Sequence, residues 1–515
     1  MTFPADYASA RTAFLAAAAA AGAEIHSHRH PLAGPDGAPL FLDVARLGSP
    51  DAARVLFIAS GTHGVEGLCG SGIQTDLLAG GIAARLPADV ALVFLHALNP
   101  YGFAWLRRVN EDNVDLNRNF LDHRAPHPEN PDYDRLDAVL NPAQLEEGDV
   151  GNLLAAVAAF QNEHGMEAVY RALSGGQYRH PRGLQYGGQA PVWSNRVLRQ
   201  LWAAHAGRAE LAAFVDLHSG LGPRGVGLVL QTAPGDSVAA QLAQAWWPDV
   251  VRAEPAAGSD AAMVSGLIGP AFVAALAPAA AVGLVLEFGT EPMTQVMLAV
   301  QADNWLQHHG RRDSERGRAI ERAMRDAFFL DDPDWQAAVR ERSRGAIDAA
   351  LAGMAAWAGA PAPAPRLRVA RPDDRDVLVE FARAMAAETE DKSLDLDVLR
   401  AGTASLLADP HRGRVYVIEA DGVVAASLML TIEWSEWRNG FFWWIQSVYV
   451  RPEHRRRGFY RRLHEHVRAA AAADPEVCGL RLYVERENHA AQQTYRDIGM
   501  VETDYLLFEE STRRS

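Results

Sequence analysis

The chain has 515 residues, with 49 Lys and Arg against 64 Asp and Glu and a formal net charge of -15 at pH 7. That acidic balance aids solubility and argues against a nucleic-acid partner, and no apolar run reaches the ~20 residues a membrane span needs. Its two cysteines, Cys69 and Cys478, give no disulfide framework and favour a reducing compartment. The first stretch, Met1 to Ala21, is alanine-rich, begins without a basic region and is broken by Asp6 and Arg11. It reads as an amphipathic surface helix and not as a signal peptide, so the expected location is cytoplasmic.

Four apolar, strand-like runs follow, and each ends in residues a hydrolytic metal site would need. Val55 to Ser60 opens onto Gly61-Thr62-His63-Gly64-Val65-Glu66-Gly67, and Val90 to His96 onto Asn99-Pro100. Phe214 to Leu217 runs into His218, and Val282 to Leu286 into Glu287. In open α/β sheets, ligands bind in the crevice at the carboxyl ends of the strands, where residues distant in sequence converge. Two His and one Glu form one of the standard ligand sets of catalytic zinc. The glycines around His63 and Glu66 would let the backbone fold back tightly enough for both to reach one ion. Between the second and third runs, Leu121 to Ala190 is polar and rich in Gly, Pro, Asn and His, and reads as an insertion that walls the site or mediates homo-oligomer formation.

The segment Arg107-Arg108-Val109-Asn110 to Asp115-Leu116-Asn117-Arg118-Asn119-Phe120 completes a pattern. H-x-x-E, then N-P-x-G (Asn99 to Gly102), R-x-N, D-L-N-R-N-F, D-L-H-S (Asp216 to Ser219) and a strand ending in Glu resemble the zinc carboxypeptidase (funnelin) family, within a bacterial branch. The resemblance implies a mixed-sheet α/β/α fold, with His63, Glu66 and His218 holding zinc and Glu287 as general base. It places Arg108 toward the developing oxyanion, with Arg107 as the alternative. Asn117 and Arg118 match the pair that grips a substrate carboxylate, which implies a peptide or N-acyl amino acid substrate with a free carboxylate. The family's mobile tyrosine has candidates in Tyr178 and Tyr186 without a decisive match. Removal of a C-terminal residue and deacylation therefore both stay open.

Trp335 to Trp357 reads as a helix closing this domain, and Ala358 to Pro365 is an Ala/Pro linker of the semi-rigid kind. Arg366 to Ala370 then reads as a strand, Asp373 to Glu388 as a helix, and Trp443 to Val450 as a buried strand of β-branched and aromatic residues. The latter feeds a basic loop, Arg451 to Tyr460, and a helix from Arg461 to Ala473. Strand, glycine-containing loop and helix N-terminus together form an anion site, here for a pyrophosphate.

Arg455-Arg456-Arg457-Gly458-Phe459-Tyr460 resembles the acyl-CoA signature R/Q-x-x-G-x-G/A of the GNAT N-acetyltransferases, with Tyr460 in place of the final Gly or Ala. Asn488 to Met500 follows the family's N-x-x-A-x-x-x-Y-x-x-x-G-F/M. The resemblance implies a smaller α/β GNAT-like domain in which Val448, Val450, Arg455, Arg456, Gly458, Tyr460 and Asn488 contact acetyl-CoA and Tyr495 protonates the departing thiolate. Gln446 lies where some relatives carry a glutamate base, so Glu433, Glu436 or a water would serve. The expected organisation is a hydrolase domain over 1–357, the linker over 358–365 and an acetyltransferase domain over 366–515. The expected function is a bifunctional enzyme using zinc and acetyl-CoA. The alternatives are a hydrolase tuned by a non-catalytic acetyl-CoA sensor, or an acetyltransferase carrying an inactive binding scaffold.

Overall fold

The computed structural model describes residues 3–146, 149–233, 237–252, 264–359, 365–390, 392–420 and 423–503. It divides into two units, Met1–Pro361 and Ala362–Ser515. The division falls within the Ala/Pro run, of which residues 360–364 lie outside the described residues.

In the first unit the strands are β1 (Glu24–Ala33), β2 (Pro39–Leu47), β3 (Arg54–Ser60), β4 (Val90–His96), β5 (Leu211–Arg224), β6 (Gly227–Gln231), β7 (Val251–Arg252) and β8 (Ala280–Gly289), in the sheet order β1-β2-β4-β3-β5-β8-β6-β7. The central strands β4, β3, β5 and β8 are mutually parallel, and β1, β2 and β6 join antiparallel. Such central strands are covered on both faces and so are apolar throughout; every residue of β4 is buried, and all of β3 except Arg54.

Alternate residues of β3 feed opposite cores. Leu56 and Ile58 pack with Phe14, Leu68 and Ile73 on one face, while Val55 and Phe57 pack with Trp202, Phe214 and Phe272 on the other. The result is an α/β/α layering. The N-terminal helix, Tyr7–Ala20, is capped by Asp6 and buries Tyr7, Ala10, Phe14, Ala17 and Ala18, so its apolar face is part of the core.

From β3 the chain crosses through the helix Gly67–Ala79 to β4 on one side, while β5 is flanked by β8 on the other. The strand order thus reverses between β3 and β5, and the crevice at such a switch point is where open α/β sheets place ligands. The polar insertion contains more structure than its composition suggests. Its helices Pro131–Leu140 and Asp149–Ser174 share an apolar cluster of Tyr133, Leu136, Leu140, Leu153 and Phe160, with a break at Gly165 (φ 84°).

In the second unit β9 (Arg366–Val369), β10 (Arg414–Ala420), β11 (Val423–Ser435), β12 (Gly440–Val450) and β13 (Val477–Leu482) form a sheet ordered β13-β12-β11-β10-β9. It is antiparallel except for the β12–β13 pair, whose register spans only Phe441–Ile445 of β12. The helix Phe459–Ala473 buries Phe459, Leu463 and Val467 against Ile418, Leu428, Leu430 and Ile445. Among the described residues no helix is long and apolar enough to cross a membrane.

Candidate functional site

The H-x-x-E turn leaves the carboxyl end of β3 as a 3-10 turn, Gly64–Glu66, leading into the helix Gly67–Ala79. It is held from outside: Gly64 N–H donates to the Arg108 carbonyl (3.1 Å) and Val65 N–H to that of Arg107 (2.9 Å). The N-P-x-G segment explains itself here. Asn99 caps its short helix through Gly102 N–H (2.8 Å), and Gly64 lies so close to Gly102 that a Cβ on it would meet the Gly102 carbonyl carbon at 2.1 Å. Only a glycine permits that approach.

The turn brings His63 and Glu66 to His218 on β5, and the three residues offer ligand atoms that all lie within 4.8 Å of one another. His63 Nδ1 is 2.8 Å from Glu66 Oε1, and His218 Nδ1 is 2.9 Å from Glu66 Oε2. Both imidazoles thus turn Nδ1 inward. Their Nε2 atoms face outward onto carboxylates: His63 onto Asp115 Oδ1 (3.1 Å), and His218 toward Asp216 Oδ2 (2.8 Å), the latter a charge contact rather than an aligned hydrogen bond. A carboxylate behind each imidazole fixes ring orientation and raises ligand basicity, as in carboxylate–histidine–metal sites. Glu287 on β8 stands directly opposite His218 in the strand register, its Oε1 accepting from Leu221 N–H at 3.0 Å.

Of the two arginines, Arg107 is 1% exposed and committed to Asp303 (3.2 Å) and Asn113 (3.1 Å), whereas Arg108 pairs with Asp115 and keeps a side chain 14% exposed beside Gln185. Asn117 and Arg118 sit on the neighbouring turn but are engaged there. Asn117 Oδ1 accepts from Ile268 N–H (2.9 Å), and all three guanidinium nitrogens of Arg118 donate to the carbonyls of Ser174 and Asn117 at 2.8–3.1 Å. Tyr178 donates its hydroxyl to the Arg118 carbonyl (2.7 Å) and Tyr186 lends its carbonyl to Asp115 N–H (2.8 Å), so both candidate tyrosines serve the wall of the site.

In the second unit, Gly458 (φ 78°) and Arg456 (φ 61°) bend the basic loop, and Gly458 caps the helix Phe459–Ala473. The first N–H groups of a helix have no intrahelical acceptor, and no side chain caps this one. Arg455 reaches the Val450 carbonyl (3.1 Å) and Glu388 (2.5 Å). Beyond Ile445, β12 runs on through Val448 and Val450 without a β13 partner. Tyr460 turns its ring inward, 5.8 Å from that of Tyr495 and edge-on to it, and its buried hydroxyl has no partner among the described residues. Asn488 caps the helix His489–Asp497 through Ala491 N–H (3.1 Å). Gln446 bridges Thr431 (2.7 Å) and Tyr483 (2.8 Å), and Glu433 is tied to Trp444 and Arg481.

Residues 3–342 match the family model described as Protein of unknown function (DUF2817). The chain belongs to that family. Residues 378–500 match the model of the acetyltransferase (GNAT) family, and the unit that holds them is a GNAT acetyltransferase domain. No curated protein matches the chain. Among solved structures, a possible acetyltransferase from Clostridium difficile 630 is 43% identical, covering 29% of this chain and 99% of that one, with a TM-score of 0.28. An aminoglycoside N-acetyltransferase in complex with CoA is 17% identical over 30% of this chain and 97% of that one (TM-score 0.25). A ribosomal-protein-alanine N-acetyltransferase from Brucella melitensis biovar Abortus 2308 is 16% identical over 29% and 99% (TM-score 0.24).

Within the DUF2817 portion the charges are strongly interdependent. Burial alone would raise Glu66, but His63 and His218 hold it below the usual carboxylate range. Glu287 moves the other way, lifted by burial and by the Glu66 charge against the pull of His218, Leu221 N–H and Arg108. Burial opposes a charge on His218, yet Asp216 and Glu66 outweigh it and hold the imidazole well above its ordinary 6.5. Asp115, equally buried, is kept well below the carboxylate range by Arg108 and His63. The sequence pattern pointed to His63, Glu66 and His218 but not to the carboxylates Asp115 and Asp216 behind the two imidazoles. Asp216 carries a signal, because residues two apart on a strand share a face; Asp115 carries one only as the cap of the 3-10 turn Leu116–Arg118.

Proposed function

We propose that the first unit is a metal-dependent hydrolase, a zinc carboxypeptidase or amidohydrolase acting on a peptide or N-acyl amide next to a free carboxylate. The observation that supports it is the buried His63–Glu66–His218 cluster with Glu287 beside it and a carboxylate behind each imidazole. This donor set fits zinc, whose catalytic sites combine three such ligands with an open position. Zinc bound there would supply a Lewis acid and lower the pKa of a coordinated water from ~15.7 toward ~7.

The chain's own residues do the rest. Glu287, pinned by Leu221 N–H, takes the proton of the attacking water and passes it to the leaving nitrogen. Arg108 offers its positive charge to the oxyanion that develops on the carbonyl. Asn117 and Arg118 are the proposed carboxylate grip, and for Arg118 this role requires trading at least one carbonyl of Ser174 or Asn117 for the substrate.

In the second unit the proposed reaction is transfer of an acetyl group from acetyl-CoA to an amine. The amine attacks the thioester carbonyl and gives up a proton to Glu433, Glu436 or a water, the C–S bond breaks, and Tyr495 gives its proton to the CoA thiolate. Val448, Val450, Arg455, Arg456, Gly458, Tyr460 and Asn488 are the proposed acetyl-CoA contacts.

Elemental analysis tests the hydrolase reading. About one zinc per chain is expected, lost in a His63→Ala/Glu66→Ala variant, together with cleavage of N-acyl amino acids or peptides by the zinc-loaded protein alone. Absence of zinc from both proteins under zinc supplementation refutes it.

A further inference from the structure

The Asp115 carboxylate touches two working parts of the metal centre at once. Its Oδ1 accepts from the Nε2 side of His63 (3.1 Å) and from Asn117 N–H (2.9 Å), while its Oδ2 holds Nη1 of Arg108 in a short contact. Asp115 is fully buried, so neither partner is exchanged for water without cost. The two imidazoles differ in this respect. Asp216 behind His218 is shared with the neutral hydroxyl of Thr62 (2.8 and 3.0 Å), whereas Asp115 behind His63 is shared with a guanidinium.

A full positive charge on one carboxylate oxygen withdraws electron density from the other and weakens it as an acceptor in a low-dielectric site. His63 is therefore supported less firmly while Arg108 is engaged. Conversely, a cation on Nδ1 makes Nε2–H a stronger donor, draws Asp115 toward His63, and loosens its hold on Arg108. Such coupling between two partners of one group is reciprocal. Nη1 of Arg108 also reaches Gln185 Oε1 at 3.5 Å, a neutral acceptor that stays with the arginine as Asp115 lets go.

We propose that Asp115 is a positioning residue that links occupancy of the metal site to the placement of Arg108, holding the arginine back in the metal-free protein and loosening it when metal loads. The proposal rests on the metal-centre reading above. It makes the residue offered for oxyanion stabilisation available only when the ligands are filled.

The test is a double-mutant cycle in zinc affinity, read by competition with a chelator, for wild type, Arg108→Gln, Asp115→Asn and the double variant. Asp115→Asn should weaken zinc by about 10- to 100-fold. Arg108→Gln, which touches no ligand, should tighten it in the wild-type background, and this effect should shrink at least about threefold once Asp115 is gone. Additivity within about twofold overturns the linkage. Should Asp115→Asn not fold, the His63 Nε2–H resonance of the zinc-loaded protein answers the same question: it should move downfield in Arg108→Gln, and an unmoved resonance overturns the proposal. Failure of the wild type to bind zinc would instead sink the metal-centre reading, and the linkage with it.

Discussion

Replacing Asp216 by Asn probes the proposed metal centre without touching a proposed ligand, and its effect should depend on pH in a specified way. His218 Nε2 lies 2.8 Å from Asp216 Oδ2, and the same carboxylate takes the Thr62 hydroxyl on both oxygens. An amide has one oxygen, so either Thr62 or His218 must face an N–H group instead. Loss of such a carboxylate typically costs 10–100-fold in metal affinity, ~1.4–2.7 kcal/mol. Asp216 also helps hold His218 well above 6.5, so in the metal-free protein zinc must displace a proton there. Removing Asp216 lowers that proton affinity and returns part of the loss wherever wild-type His218 is protonated. The ratio of dissociation constants, variant over wild type, should therefore be smallest at the acid end, where wild-type His218 is protonated, and rise toward about 10–100-fold as pH climbs through its raised folded value. A fluorescent chelator titrated against zinc at several pH values measures it. A ratio that stays within twofold of unity over the whole pH range, or that falls as pH rises, refutes the reasoning.

Four further outcomes follow from the same geometry. Glu287→Gln should keep zinc and fold but lose about 10²–10⁴-fold in hydrolytic kcat, measured on whichever N-acyl amino acid proves a substrate. The metal-free protein should lose the His218 contribution to stability as pH rises, because a raised folded pKa stabilises fully below 6.5 and fades through the folded value; thermal unfolding with a chelator present reads this against His218→Gln. Gly64→Ala should abolish zinc binding in a chain that still folds, since its Cβ would stand 2.1 Å from the Gly102 carbonyl carbon, and metal analysis with circular dichroism checks both halves. Tyr495→Phe should cut acetyl transfer to an amine while leaving acetyl-CoA affinity within about twofold, and a variant with undiminished turnover would rule the phenol out as the acid.

What was legible in the sequence was whatever sits at a strand's carboxyl end. His63, Glu66, His218 and Glu287 each follow an apolar run, and chain order alone suffices to gather them once the runs are parallel and adjacent. Their mutual geometry was not legible, because the opposition of His218 and Glu287 is a register between β5 and β8, set by pairing across a long stretch of chain. The Leu221 N–H that pins Glu287 is a backbone group and leaves no mark on side-chain identity.

Arg118 shows the limit most clearly. D-L-N-R-N-F marks a guanidinium near the ligands, and a planar fork beside a metal suggests a carboxylate grip. Its direction, however, is decided by the carbonyls of Ser174, at the end of the insertion's long helix, and of Asn117 beside it. Ser174 belongs to the segment whose composition reads as a polar insertion with no helix marked in it, since Gly, Pro, Asn and His conceal the apolar spacing of Tyr133, Leu136, Leu140 and Phe160. The insertion's helices thus build the wall of the site, and which cation faces the substrate follows from them. Arg108 already spends its charge on the buried Asp115 carboxylate and also reaches Gln185, whereas the three guanidinium nitrogens of Arg118 meet only neutral carbonyls. A carboxylate brought to Arg118 would therefore gain an ion pair in exchange for a neutral contact once the Ser174 turn releases one carbonyl, and that is the exchange the proposed grip requires.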